Sequence, residues 1–144
     1  MTSTASNVSV AAPVEVVWDV LADFADISSW AGHVSQSSLL SPGPVGLGSV
    51  RRVQVGRAAL RETVIVWEPA RRLAYAIAGL PPIVTSASNT WTLEATGAGT
   101  TVTLTTDAQT RGGPLLARVV GRKLGQAGDD LTRSLAARLT GTHP

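Results

Sequence analysis

The sequence predicts an α+β fold: a curved antiparallel β-sheet of about seven strands around one long C-terminal helix. Three observations carry this. From residue 34 to residue 107, proline and glycine turns cut the chain into short segments that alternate apolar and polar side chains. One opening strand and two short helical segments precede that block. The stretch 114–139 then has the only long amphipathic helical period in the chain. Strands gathered in one block, with helices before and after it, form the α+β pattern rather than the alternating order of a parallel sheet.

The elements follow in order. Val8-Ser9-Val10 alternates and predicts a short first strand. Ala12-Pro13 opens a helix with Val16, Val17, Val20, Leu21 and Phe24 apolar, and Glu15 in the first turn where a carboxylate suits the helix dipole. A shorter second helix is expected with Asp26 as its cap, carrying Ile27 and Trp30 and ending near Gly32. Strands are then expected over 34–40, 49–55, 60–67 and 72–78, separated by Pro42-Gly43-Pro44, by Gly46 to Gly48, and by the turn Glu68-Pro69-Ala70. After Gly79-Leu80-Pro81-Pro82, strands 85–96 and 101–107 form a hairpin about Gly97-Ala98-Gly99. In it Trp91, Leu93, Val102 and Leu104 alternate against threonine and glutamate.

Gly112-Gly113-Pro114 starts the last helix, because proline suits the first helical position. Leu116, Val120, Leu124, Ala127, Leu131 and Leu135 recur at spacings of three and four and so share one face. Such a helix is about 39 Å long. Gly121, Gly125 and Gly128 interrupt it, each at a cost of roughly 1 kcal/mol relative to alanine. Two explanations stand: the missing side chains make room for a ligand or for another backbone, or the helix tolerates them, with a bend.

Composition narrows the function. The 144 residues make one domain, 1–144, and 44% hydrophobic residues supply a core. There is no run of 18 apolar residues, and Met1 to Asn7 lacks the order of a secretory signal, so no integral membrane segment and a cytoplasmic location are expected. With no cysteine and only two histidines, His33 and His143, neither a metal site nor a cofactor is expected. The net charge of +2 and the separated pairs Arg51-Arg52 and Arg71-Arg72 do not imply nucleic-acid binding, since neighbouring strand residues point to opposite faces.

The order of elements, with Ala12-Pro13-Val14-Glu15-Val16-Val17-Trp18, Trp30, Gly48-Ser49-Val50-Arg51 and Arg61-Glu62-Thr63-Val64, resembles the START/Bet v 1-like (SRPBCC) superfamily, in particular its polyketide cyclase/dehydrase-like branch. Trp67-Glu68-Pro69, Arg72-Leu73-Ala74-Tyr75, Gly79-Leu80-Pro81 and Gly99-Thr100-Thr101-Val102 continue the pattern over nearly the whole chain. The resemblance implies a helix-grip fold with a cavity between the sheet and the last helix, able to hold a lipid, sterol or polyketide-like molecule. It implies that Val53, Val55, Leu60 and Glu62 point inward and that the loop 78–82, with Leu80, sits at the cavity mouth as a gate. Strand periodicity then puts Tyr75, Ile77, Trp91 and Leu93 on the same side. On the helix, Leu116, Val120, Leu124, Ala127 and Leu131 face in, and Trp30 is a further wall candidate.

Three residues are candidates for chemistry. Glu62 sits among Leu60, Val64 and Val66 and either faces solvent or enters the apolar pocket, where an unpaired carboxyl is favoured in its neutral form. There it binds a ligand hydroxyl or amine, acts as general acid or base, or pairs with an arginine such as Arg51. Tyr75 offers a hydroxyl or fills the core. His33, near the end of the second helix, reaches the cavity entrance or lies on the surface. Three functions compete: a noncatalytic carrier of a hydrophobic small molecule, a metal-free polyketide cyclase, aromatase or dehydratase using Glu62 and Tyr75, and an interaction module in which the glycine-bearing helix or a sheet edge forms a homodimer or contacts another protein. The thin supply of convergent acids and bases favours the carrier.

Overall fold

The computed structural model describes residues 2–140; His143 lies outside them. The elements run β1 (Thr2–Val10), α1 (Val14–Ala22), a 3-10 helix (Phe24–Ser29), β2 (Gln36–Leu39), β3 (Val50–Val55), β4 (Ala58–Glu68), β5 (Arg72–Ala78), β6 (Val84–Thr96), β7 (Gly99–Thr110) and α2 (Pro114–Thr140). The strands form one antiparallel sheet in the order β1-β7-β6-β5-β4-β3-β2. Neighbours in sequence are neighbours in the sheet except for β1, which crosses to the far edge beside β7. That crossover sends α1 and the 3-10 helix beneath one end of the sheet, while α2 lies across β1 and β7.

Registered residues of adjacent strands share a face, so the pairing defines the concave side. Arg51 opposes Glu62, Glu62 opposes Ile77, Tyr75 opposes Asn89, Trp91 opposes Leu104, and Thr106 opposes Thr4. A bulge at Ile65 shifts the β4–β5 register between Val64 and Val66. Ile65 is exposed, as alternation from the buried Val64 requires, and the extra residue shifts the phase so that Trp67 rather than Val66 faces inward, beside Trp18 with ring centroids 5.0 Å apart.

α1 starts at Pro13, whose carbonyl accepts from the N–H groups of Val16 and Val17, and it buries Val17, Trp18 and Leu21. The next segment differs from expectation. Asp26 does not cap a helix; it lies within the 3-10 turns at φ −104° and ψ 20°, and Trp30 follows their end. β1 is longer than Val8–Val10 because the residues that face inward over its first half are Thr4 and Ser6, which carry no apolar signal.

The glycines of α2 explain that choice. A side chain at Gly121 would meet Thr2 Cγ2 at 2.8 Å, one at Gly125 would meet Thr4 Cγ2 at 3.8 Å, and one at Gly128 would lie 4.0 Å from Ser6 Cβ. Glycines spaced four and three along the helix stand over strand residues spaced by two, so helix and strand backbones approach closely through small residues. One turn further, the Thr132 and Ser6 hydroxyls hydrogen-bond at 2.9 Å. The glycine stripe serves the approach of another backbone, that of β1.

Candidate functional site

Between the sheet and α2 lies a cavity of about 170 Å³. Leu124, Ala127, Gly128 and Leu131 form its roof, Val53, Val55, Leu60, Glu62, Tyr75, Ile77, Asn89 and Thr106 its floor, and Ile27, His33, Val34 and Leu80 its sides. The fold produces it by division of labour. α1 and the 3-10 helix plug one end of the concave face with Trp18, Leu21 and Phe24, while at the other end small roof residues leave space.

Most expected wall residues surround this space: Val53, Val55, Leu60, Glu62, Tyr75, Ile77, Leu80, Leu124, Ala127 and Leu131, with His33 beside them. Five others do not. Trp91 and Leu93 share the concave face but lie toward the plugged end, where they are core. Trp30 packs on Trp91, centroids 6.1 Å apart, outside the cavity. Leu116, in the first turn of α2, is 45% exposed and is not a wall residue. Val120, one turn further on, is half-buried but not a wall residue. Sequence reading missed Ile27, Val34, Asn89 and Thr106, whereas Gly128, one of the glycines expected to make room for a ligand or for another backbone, lines the cavity and also stands over Ser6. Asn89 and Thr106 had a usable signal: each is a polar residue in phase with the buried apolar positions of its strand.

Glu62 faces inward. Its Oε1 accepts from Arg51 Nε and is 2.7 Å from Arg51 Nη2, while Arg51 Nη1 donates to the Phe24 carbonyl at 2.8 Å. The guanidinium carbon lies 3.8 Å from the Phe24 ring centroid and 4.6 Å from that of Tyr75. All its charge is thus spent inside the wall, on a carboxylate, a carbonyl and two ring faces.

Tyr75, Asn89 and Thr106 form a row across β5, β6 and β7. Thr106 Oγ1 donates to Asn89 Oδ1 at 2.7 Å, and Asn89 Nδ2 and Trp91 Nε1 both donate to the Tyr75 hydroxyl oxygen, at 3.3 and 3.2 Å. Burial, and secondarily the nearby Glu62 charge, push the Tyr75 hydroxyl above its ordinary pKa, so it is a neutral donor at physiological pH. His33 Nδ1 is buried in the side wall and has no hydrogen-bond partner among the described residues. The mouth lies where the wall is half-buried, at Val55, Leu60, Ile77, Leu80, Leu124 and Ala127. Leu80 follows Gly79, whose φ of 102° and close approach to the Ala59 carbonyl leave no room for a side chain.

A sheet gripping a C-terminal helix, with an apolar cavity between them and a buried polar floor, defines a helix-grip protein. The chain belongs to the family described as polyketide cyclase/dehydrase and lipid transport, whose profile matches residues 1–140, within the START/Bet v 1-like superfamily. Among solved structures it is similar to the Zhui aromatase/cyclase from Streptomyces sp. R1128, at 24% identity over 96% of this chain and 93% of that one, with a TM-score of 0.81. The di-domain ARO/CYC StfQ of the steffimycin biosynthetic pathway matches at 15% identity and TM-score 0.81, over 96% of this chain and 50% of its own. Ara h 8.0201 matches at 14% identity and TM-score 0.80, over 97% and 98%. These likenesses establish the fold. No curated protein matches by sequence.

Proposed function

We propose that the protein binds and carries a hydrophobic small molecule in the cavity beneath α2, without transforming it. The observation that carries this reading is the state of the wall. It is mostly aliphatic, and its one carboxylate is ion-paired with Arg51 through Oε1. General acid–base chemistry needs groups that exchange protons near neutral pH, and the neutral, donor-saturated Tyr75 oxygen is poorly suited to that.

A cyclase, aromatase or dehydratase is the second reading. The unpartnered His33 Nδ1 in the wall and the family's description favour it, with Glu62 and Tyr75 as the accompanying groups. The interaction-module reading loses its main feature, because the glycine stripe is already occupied by β1.

Native mass spectrometry of the purified protein, followed by denaturing extraction, tests the carrier reading. A defined apolar molecule at one per chain, lost in Leu124→Gln, is expected. An empty protein that also ignores a panel of lipids and polyketide-like compounds would sink the reading. Turnover of such a compound, abolished in His33→Ala, would move the assignment to the enzyme.

A further inference from the structure

We propose that the molecule held in this cavity is uncharged, one ring wide at its buried end, and enters polar end first, with a hydroxyl or enol that meets both Glu62 and Tyr75. This rests on the ligand-binding reading and adds the chemical class.

Charge comes first. Among the described residues Glu62 is the one acidic wall residue, and no lysine or arginine lines the space. Arg51 balances Glu62 at 2.7 Å and has its remaining contacts with Phe24 and Tyr75. A ligand carboxylate would therefore face Glu62 with no lysine or arginine in the wall to oppose it. A ligand ammonium would add charge beside Arg51. Either ion would leave water without full compensation, which is costly in a closed apolar site. A neutral molecule avoids both penalties.

Unspent hydrogen-bonding capacity comes next. Both Arg51 contacts fall on Glu62 Oε1, and among the described residues no donor reaches Oε2. The Tyr75 oxygen receives two N–H donors, and its own proton has no acceptor among the described residues. Glu62 and Tyr75 thus offer a free acceptor and a free donor on the cavity floor, while the unpartnered His33 Nδ1 lies in the side wall. A ligand hydroxyl satisfies both, by donating to the carboxylate and accepting from the phenol.

Size and polarity fix the orientation. A cavity of about 170 Å³ compares with roughly 150 Å³ for an engineered cavity that takes benzene, and lies below the roughly 300–1,000 Å³ of typical ligand pockets. It holds one ring, and any further apolar part extends between Leu60, Leu80 and Leu124 at the mouth. Glu62 and Tyr75 are buried while those three are half-buried, so the polar end goes in first.

Four probes at neutral pH test this on the intact protein: 4-ethylphenol, 4-ethylanisole, ethylbenzene and 4-ethylbenzoate, followed by NMR titration of the Trp91 indole N–H, which donates to Tyr75. We expect 4-ethylphenol to bind about tenfold or more tightly than ethylbenzene, as hydrogen bonding to a charged acceptor implies. The anisole should fall between them, and the benzoate should bind weakest. The Trp91 indole resonance should move with the phenol and stay nearly still with ethylbenzene, a comparison that needs no variant. In Tyr75→Phe the advantage of 4-ethylanisole over ethylbenzene should vanish. Equal affinities for phenol and ethylbenzene, or tightest binding of the benzoate, would overturn the inference and leave the carrier reading standing. Failure of all four at millimolar concentration, with no copurified molecule, would overturn both.

Discussion

Arg51 and Glu62 are cross-strand partners on β3 and β4, joined at 2.7 Å with side chains only 3% and 7% exposed. A buried pair of this kind is expensive to break and cheap to replace. Glu62→Leu leaves the guanidinium unpaired in the wall, and Arg51→Met leaves the carboxylate without its donor and takes the Arg51 hydrogen bond from the Phe24 carbonyl. Each single substitution should lower stability by about 3–5 kcal/mol. The double variant Arg51→Met/Glu62→Leu should recover most of that loss. Urea unfolding of all four proteins measures the coupling; additive single and double effects would show that the pair does not act as a unit.

The same pair shows what the sequence revealed and what it hid. Strand alternation put Glu62 beside Leu60 and Val64, and Arg51 was available as a partner, but a one-residue slip in register would have reversed the face. Only the pairing with β3 and β5 decides it. Helices and strands with apolar faces were legible because burial leaves a period. β1 before Val8 was not, since Thr4 and Ser6 meet glycines rather than a greasy surface. The cavity roof was legible at Leu124, Ala127 and Leu131. Leu116 and Val120 share that helical face, yet periodicity says nothing about how far along the helix the cavity extends. Trp91 and Leu93 were rightly placed on the concave side. Which end of that side is plugged depends on the path of α1, a tertiary matter.

The α2 glycines respond to alanine according to what stands opposite. At Gly125 the new methyl would sit 3.8 Å from Thr4 Cγ2, an ordinary contact, so the helix-propensity gain of roughly 0.5–1 kcal/mol should appear as added stability. At Gly121 the methyl would lie 2.8 Å from Thr2 Cγ2, and displacing β1 should offset most of that gain. Gly99→Ala, by contrast, would drive a methyl into the Val10 carbonyl oxygen and should destabilise strongly. Thermal melts of the three variants should rank Gly125→Ala above wild type, Gly121→Ala near it and Gly99→Ala far below.

Tyr75 sets an alkaline limit on stability. Burial raises its folded-state pKa above the unfolded value of 10.0, so from about that pH upward the unfolded chain gives up a proton that the folded chain retains. Folding stability from this residue is therefore constant at neutral pH and declines as pH rises past 10. Urea midpoints measured between pH 8 and pH 11 should fall over the last unit in wild type. In Tyr75→Phe that decline should be reduced, from a lower starting stability because the Asn89 and Trp91 donors lose their acceptor. Parallel curves for the two proteins would remove Tyr75 as the cause.

Ala127 is the position from which occupancy can be switched off with least damage. It lies in the cavity roof on α2 and is half-buried, so a larger side chain there extends into space rather than into packed atoms. A phenyl ring fills most of a cavity of about 170 Å³, since a comparable void takes benzene. Ala127→Phe should therefore keep the fold and its melting temperature close to wild type, because the added burial offsets the strain of insertion. The same variant should weaken binding of any cavity ligand at least tenfold. Leu116→Phe, on the exposed first turn of α2, is the control and should leave binding unchanged. If Ala127→Phe binds as wild type does, the ligand sits elsewhere. If only Ala127→Phe loses binding, with circular dichroism unaltered, the space beneath α2 is where the ligand goes.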